Sequence, residues 1–173
     1  MSEIARTKTH PVMVGSVQVG GGAPVSVQSM CTTKTDDPDA TLLQIKGLAE
    51  AGCEIIRVAI PDAKALDGFE EICKYSPLPV VADIHFDYKL ALEAEKRGAA
   101  ALRINPGNIG SMERVDAVIE AAKEAHIPIR IGVNAGSLAK EFDTRQDMTL
   151  VEKLVASSKS FLEHFSSRGV DDI

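Results

Sequence analysis

The chain has 173 residues, enough for one domain with a substantial core, and its 45% apolar and 25% charged content is that of an ordinary soluble globular protein. A net charge of −6 argues against a nucleic-acid surface and against docking on an anionic membrane. No apolar run approaches the ~18 residues of a membrane span and no signal peptide opens the chain, so a cytoplasmic location is expected.

After a polar start, VMVGSVQV (12–19) predicts a β-hairpin turning at Gly15-Ser16. Gly20, Gly21 and Gly22 precede a strand instead of following one, which makes them a flexible connection and a poor phosphate loop. Residues 1–23 are therefore set apart as an N-terminal segment carrying the hairpin. From 24 to 173 strand and helix patterns alternate. Strand-like runs fall at 24–30, 54–60, 79–85, 101–105 and 128–134, and helical stretches at 39–51, 62–75, 88–97 and 111–125.

Helical spacing puts Leu66, Phe69, Ile72 and Cys73 on one face, and Val115, Val118, Ile119 and Ala122 on another. Asp39 and Ser111 stand where N-caps belong, and Gly52 and Gly98 where C-cap glycines belong. A last helix starts at Thr149, with Glu152 completing a capping box, and runs to about 167. Gly169 closes it, and 170–173 reads as the opening of a sixth strand.

Alternating strands and helices make a parallel sheet. A doubly wound sheet would have apolar strands throughout. Here Ile56, Val58 and Ile60 oppose Arg57, and Val80, Ala82 and Ile84 oppose Asp83 and His85. Leu102 and Ile104 oppose Arg103 and Asn105, while Ile129, Ile131 and Val133 oppose Arg130 and Asn134. One face meets helices and the other gathers charge toward the strand ends. The expected fold is an α/β parallel (β/α) TIM-barrel with its site at the C-terminal rim, truncated within the sixth strand.

Arg57, Arg103 and Arg130 then occupy equivalent inward positions on three strands. Buried charge is costly unless it is paired or ligand-bound, and Asp83 cannot neutralise three guanidinium groups. Such an excess suits phosphate or diphosphate, whose oxygens match the five-donor fork. Asn105 and Asn134 add uncharged donors and acceptors for hydroxyl groups, and the turns 106–108 and 135–137 admit backbone N–H groups. His85, beside Asp83, is a candidate acid or base. A salt-bridge network that merely fills the interior is the competing account of the arginines. His10, His126 and His164 read as surface residues, and 34–39 as a loop and helix start.

Cys31, Cys53 and Cys73 form neither a disulfide framework nor a short ligand pair. Cys53 and Cys73 read as small core hydrophobes, while Cys31 ends a strand. No metal site is legible in the chain.

Five blocks carry a resemblance: VQSMCTTKTDD (27–37), GCEIIRVAIPD (52–62), PVVADIHFDY (79–88), LRINPGNIG (102–110) and IRIGVNAGSL (129–138). In this order, over nearly the whole chain, they resemble the 4-hydroxy-3-methylbut-2-enyl diphosphate synthase (IspG/GcpE) family. The resemblance implies reductive opening and dehydration of 2-C-methyl-D-erythritol 2,4-cyclodiphosphate in the methylerythritol phosphate route to isoprenoids. It implies two electrons from ferredoxin or flavodoxin through a [4Fe-4S] cluster, and a homodimer in which a separate cluster domain caps the partner's barrel. Arg57, Arg103, Asn105, Arg130 and Asn134 match the family's substrate-holding positions. Asp83 and His85 match a polar or proton-handling pair, and Asp36 is a weaker candidate.

The family barrel has eight strands, and its last strands and cluster domain have no counterpart in this sequence. The cysteines do not match the cluster ligands, and Cys31 stands where the family has threonine. The chain thus reads as the N-terminal barrel portion, inactive by itself. Two alternatives remain: a dihydropteroate-synthase-like phosphate-binding barrel, and a non-catalytic partial barrel that associates through its open edges.

Overall fold

The computed structural model describes residues 7–173. Of the N-terminal segment, 1–6 lies outside the described residues. The hairpin forms as expected: β1 (Val12–Val14) pairs antiparallel with β2 (Val17–Val19), and Val14 opposite Val17 leaves Gly15-Ser16 as a two-residue turn. Gly15 has φ 57°, the left-handed conformation such a turn needs.

Five strands follow in a single parallel sheet: β3 (Gln28–Met30), β4 (Ile55–Ala59), β5 (Val80–Ile84), β6 (Ala101–Ile104) and β7 (Ile129–Ile131), in that spatial order. The main connections are α1 (Pro38–Glu50), α2 (Ala65–Tyr75), α3 (Tyr88–Lys96) and α5 (Met112–Ala125). α7 (Leu150–Ser167) follows β7 and carries the predicted capping box between Thr149 and Glu152. Past it no strand is assigned, yet Ile129 N–H donates to Asp172 O at 3.1 Å, so 170–173 starts to pair alongside β7.

Several boundaries move for local reasons. β3 is shorter than the run 24–30: its ladder with β4 begins at Gln28 opposite Ile55, and just before it Val27 N–H donates to the Glu54 side chain at 2.9 Å. Val25 and Val27, on that outer edge, stay 77% and 53% exposed. The N-cap of α1 is Asp37, whose side chain accepts from Ala40 N–H, and not Asp39. Pro38 fills the first helical position, where its missing N–H leaves nothing unsatisfied. α2 begins three residues late because Asp62 holds a turn, accepting from the backbone N–H of Lys64 and Ala65. Two single-turn helices, α4 (Pro106–Ile109) and α6 (Lys140–Asp143), come in addition to the expected elements, α4 where 106–108 reads as a turn.

The strand alternation resolves as predicted. Ile56, Val58, Ile60, Val80, Ala82, Ile84, Leu102, Ile104 and Ile129 pack outward into one cluster with Ile45, Phe69, Ile72, Val115 and Phe165 from the helices. The concave face is layered in a way the sequence did not reveal. Toward the amino ends of the strands, Ile55, Val81 and Ala101 form a second apolar cluster with Val14, and Val17 and Val19 pack against it. The hairpin thereby plugs one mouth of the barrel, and polar side chains are left to the other.

Candidate functional site

At the open mouth the polar side chains converge on one carboxylate. Asp83, on β5, is 2% exposed, and an unpaired charge so placed would cost several kcal/mol. Its Oδ1 accepts from Arg103 Nη1 at 3.1 Å, while Oδ2 lies 3.3 Å from Arg57 Nε and 3.5 Å from His85 Nε2. Both carboxylate oxygens face cations, so Asp83 is arranged as a counter-ion. His85 stands at the solvent edge, its side chain 52% exposed and edge-on to the Phe86 ring.

The three arginines do not share one register. Arg103 on β6 is the direct ladder partner of both Asp83 and Arg130, whereas Arg57 is opposite Val81, with Ala59 in the place beside Asp83. Arg57 nevertheless reaches the carboxylate from two residues earlier on its strand. Its Nε and Nη2 also donate to Met30 Sδ at 3.3 and 3.0 Å, a weak acceptor that fixes direction more than energy. Arg130 Nη1 donates to Gln28 Oε1 at 2.5 Å. That bond joins the first and last strands of the sheet across its concave face, between residues 102 apart in sequence.

Three guanidinium groups against one carboxylate leave a formal excess of +2 in this cluster of described residues. Partial burial first, and then the charges of Arg57 and Arg103, hold the pKa of Arg130 below the usual arginine value. A site that disfavours its own cations in this way gains by admitting an anion.

Gly132, the residue after β7, lies against the Nε–Nη2 edge of the Arg103 guanidinium. A Cβ there would meet Nη2, and would come within 2.7 Å of Nε and 2.8 Å of Cζ. Its N–H donates to Ile104 O at 2.8 Å, which keeps this backbone in line with β6.

The two asparagines are placed differently from expectation. Asn105 is 1% exposed and caps α4, its Oδ1 accepting from Gly107 N–H at 3.1 Å, and its Nδ2 donates to Ser137 Oγ. Ser137 Oγ in turn donates to Asn134 Oδ1 at 2.7 Å, which also accepts from Gly136 N–H at 3.1 Å. This chain ties the loop after β6 to the loop after β7. Asn105 is engaged through both ends of its amide, and its place is under the rim. Asn134 is exposed and keeps its Nδ2 outside that chain. Asp36 is exposed on the loop before α1.

Sequence reasoning missed Gln28, Met30, Ser137 and Gly132. Gln28 and Met30 have the inward phase on β3, and a glycine inside the strand pattern IRIGVN (129–134) signals a close approach, so two of these clues were present.

A cavity of 460 Å³ runs along β7 between the hairpin and α7, lined by Val14, Val81, Ala101, Ile129 and Leu162 among others. It meets the charged cluster only at Arg130. The guanidinium groups around Asp83, not this apolar groove, hold the site's chemistry.

The cysteines do not suit an iron–sulfur cluster. Cys31 and Cys53 are buried, and Cys53 Sγ lies 3.1 Å from Ile55 O. Burial pushes the Cys31 thiol up to about 11 and the Cys73 thiol up to about 12, opposite to what a thiolate ligand requires. Among the described residues no three His, Cys, Asp or Glu side chains are placed to hold a metal ion. No helix among them is long and apolar enough to cross a membrane.

Comparison with known proteins agrees with this architecture. Solved dihydropteroate synthases superpose on it at low identity: that of Yersinia pestis at 12% with a TM-score of 0.64, covering 94% of this chain and 59% of that one. The Vibrio fischeri enzyme does so at 18% with a TM-score of 0.65, covering 95% and 64%. These likenesses establish the shared barrel fold. In sequence, the chain is 57% identical over 159 residues to the 4-hydroxy-3-methylbut-2-en-1-yl diphosphate synthase (flavodoxin) of Geobacillus thermodenitrificans, covering 91% of this chain and 42% of that protein. It is 51% identical over 174 residues to the enzyme of the same name from Anoxybacillus flavithermus, covering 100% and 48%. The chain thus spans about half the length of the curated relatives it matches. The family model described as the GcpE TIM-barrel domain matches residues 9–173, and the chain belongs to the GcpE family.

Proposed function

We propose that this chain is the substrate-gripping barrel of a 4-hydroxy-3-methylbut-2-en-1-yl diphosphate synthase, acting on 2-C-methyl-D-erythritol 2,4-cyclodiphosphate in isoprenoid synthesis. The observation that carries this reading is that three guanidinium groups, Arg57, Arg103 and Arg130, act on one another beside a single carboxylate, Asp83, which Arg57 and Arg103 contact and Arg130 does not. A cyclic diphosphate, with one ionised oxygen on each phosphoryl group, matches the formal excess of +2. Arg103 and Arg130 each use only Nη1 on protein acceptors among the described residues, so their remaining donors are available to phosphoryl oxygens.

In this proposal the hairpin of residues 12–19 supplies the plug and 24–173 the binding barrel. Asp83 is the counter-ion that keeps Arg57 and Arg103 aimed. His85, at the solvent edge, exchanges a proton with the ligand's departing or arriving oxygen. Asn134 contacts a hydroxyl group, and Asn105 shapes the loop beneath.

The family's chemistry calls for two electrons through a [4Fe-4S] cluster. Cys31, Cys53 and Cys73 do not suit that role, so the cluster ligands belong to another part of the protein, and this chain alone gives no turnover. Flavodoxin stands in the relatives' names, and flavodoxin or ferredoxin is the donor proposed here, with a homodimer in the cytoplasm as the working assembly.

Thermal unfolding with and without the cyclic diphosphate tests the binding claim. At ~100 times its dissociation constant the ligand adds about 2.7 kcal/mol if it binds only the folded state. For a domain of this size that raises the Tm by about 5–10 °C. The shift is expected to vanish in Arg103→Ala. A shift with a pterin diphosphate in its place would favour the dihydropteroate-synthase-like alternative, and a shift with neither would contradict both.

A further inference from the structure

We infer that Gly132 is a positioning residue for the anion site: its missing side chain is the seat on which the Arg103 guanidinium rests, and this seat aims the group at Asp83 and at a bound diphosphate. The inference rests on the proposed function for its ligand, but not for its geometry.

The Cβ position at Gly132 is nearly equidistant from Nε and Cζ of Arg103, at 2.7 and 2.8 Å, and Nη2 lies against it as well. Nη2 is the nearest of the three and the central Cζ the farthest, so it is the Nε–Nη2 edge of the guanidinium that lies against the glycine. Nη1, the nitrogen outside that edge, lies 3.1 Å from Asp83 Oδ1. A guanidinium seated along that edge and held through Nη1 keeps one fixed plane and direction, which recognition of phosphoryl oxygens by a planar donor group needs.

The glycine is not required by backbone conformation. Gly132 is absent from the positive-φ positions of the chain, which include Gly15, Gly52 and Gly98. The three atoms nearest to a Cβ at Gly132 all belong to the flexible end of Arg103. This separates Gly132 from Gly107 and Gly68, where a Cβ would run into the backbone carbonyl oxygens of Ser137 and Thr35. At those two positions a side chain breaks the packing. At Gly132 the first thing it displaces is a guanidinium.

The experiment is a comparison of Gly132→Ala, Arg103→Ala and the double variant in this chain. One readout is free of ligand: the ¹⁵Nε–H resonance of Arg103 and its exchange rate with water. The expected result is a cooperative unfolding transition within a few degrees of the unsubstituted protein in Gly132→Ala, together with a moved, fast-exchanging Arg103 resonance. The second readout is affinity for the cyclic diphosphate. Gly132→Ala is expected to lose at least ten-fold, and in the Arg103→Ala background to lose nothing further. An unchanged Arg103 resonance, or equal losses in both backgrounds, would overturn the inference. If the unsubstituted chain does not bind the diphosphate, the proposed function falls, while the resonance still decides whether Gly132 seats Arg103.

Discussion

Asp83→Asn is the sharpest perturbation of the rim because it removes the charge and keeps the shape. The carboxylate is almost fully buried and lies 3.1 and 3.3 Å from two guanidinium groups that are 22% and 27% exposed. Breaking a fully buried pair by removing one partner costs about 3–5 kcal/mol. Here the arginines can turn part of their charge to water, which reduces the expected loss to about 3 kcal/mol. For 173 residues this lowers the Tm by about 6–12 °C. The assay is thermal unfolding followed by circular dichroism, with and without inorganic pyrophosphate. The Asn variant leaves three cations with no carboxylate among them, so pyrophosphate should raise its Tm by more than it raises that of the unsubstituted protein. A loss under ~1 kcal/mol, with no greater response to the anion, would refute the counter-ion role assigned to Asp83.

Gly107→Ala would drive a Cβ into the backbone carbonyl oxygen of Ser137, and a loss of about 1–3 kcal/mol is expected in denaturant titration. Ser137→Ala leaves the buried Asn105 amide without its acceptor, and about 1–3 kcal/mol should be lost there too, with the loops after β6 and β7 exchanging amide hydrogens faster. Burial, reinforced by Glu124, raises the Glu95 carboxyl to about 7. Its folded pKa exceeds its unfolded one, so the stabilising protonated form is complete below about 4.5 and is lost as pH rises through about 7. After discounting for partial exposure, Glu95→Gln should be more stable than the unsubstituted chain by about 1–2 kcal/mol at pH 8 and little different at pH 4.5, as melts at the two values would register.

The alternating strands were legible because a period of two assigns every side chain a face. Arg57, Asp83, Arg103 and Arg130 could be placed inward without coordinates. What the sequence did not disclose depends on contacts between distant segments. Nothing in VMVGSVQV announces that Val14 will pack on Ile55, Val81 and Ala101, since any hairpin has an apolar side. The offset of Arg57 follows from the ladder register, which no single strand encodes. Asn105 and Asn134 sit at strand ends, where loops need caps as much as sites need ligand contacts, and the first demand prevailed at Asn105. Asp37 displaced Asp39 as N-cap for a reason that was legible, since Pro38 fits the first helical position and the residue before it takes the cap.

The central claim is that Arg57, Arg103 and Arg130 together hold a diphosphate. Its most direct test is to titrate 2-C-methyl-D-erythritol 2,4-cyclodiphosphate into ¹⁵N-labelled chain and follow the arginine Nε–H resonances. The account predicts that those of Arg57, Arg103 and Arg130 shift together along one saturating curve. Arg97, Arg145 and Arg168, each already paired with carboxylates on the outer surface, should remain in place. Saturation that leaves the three rim resonances unmoved, or shifts spread evenly over all the arginines, would contradict it.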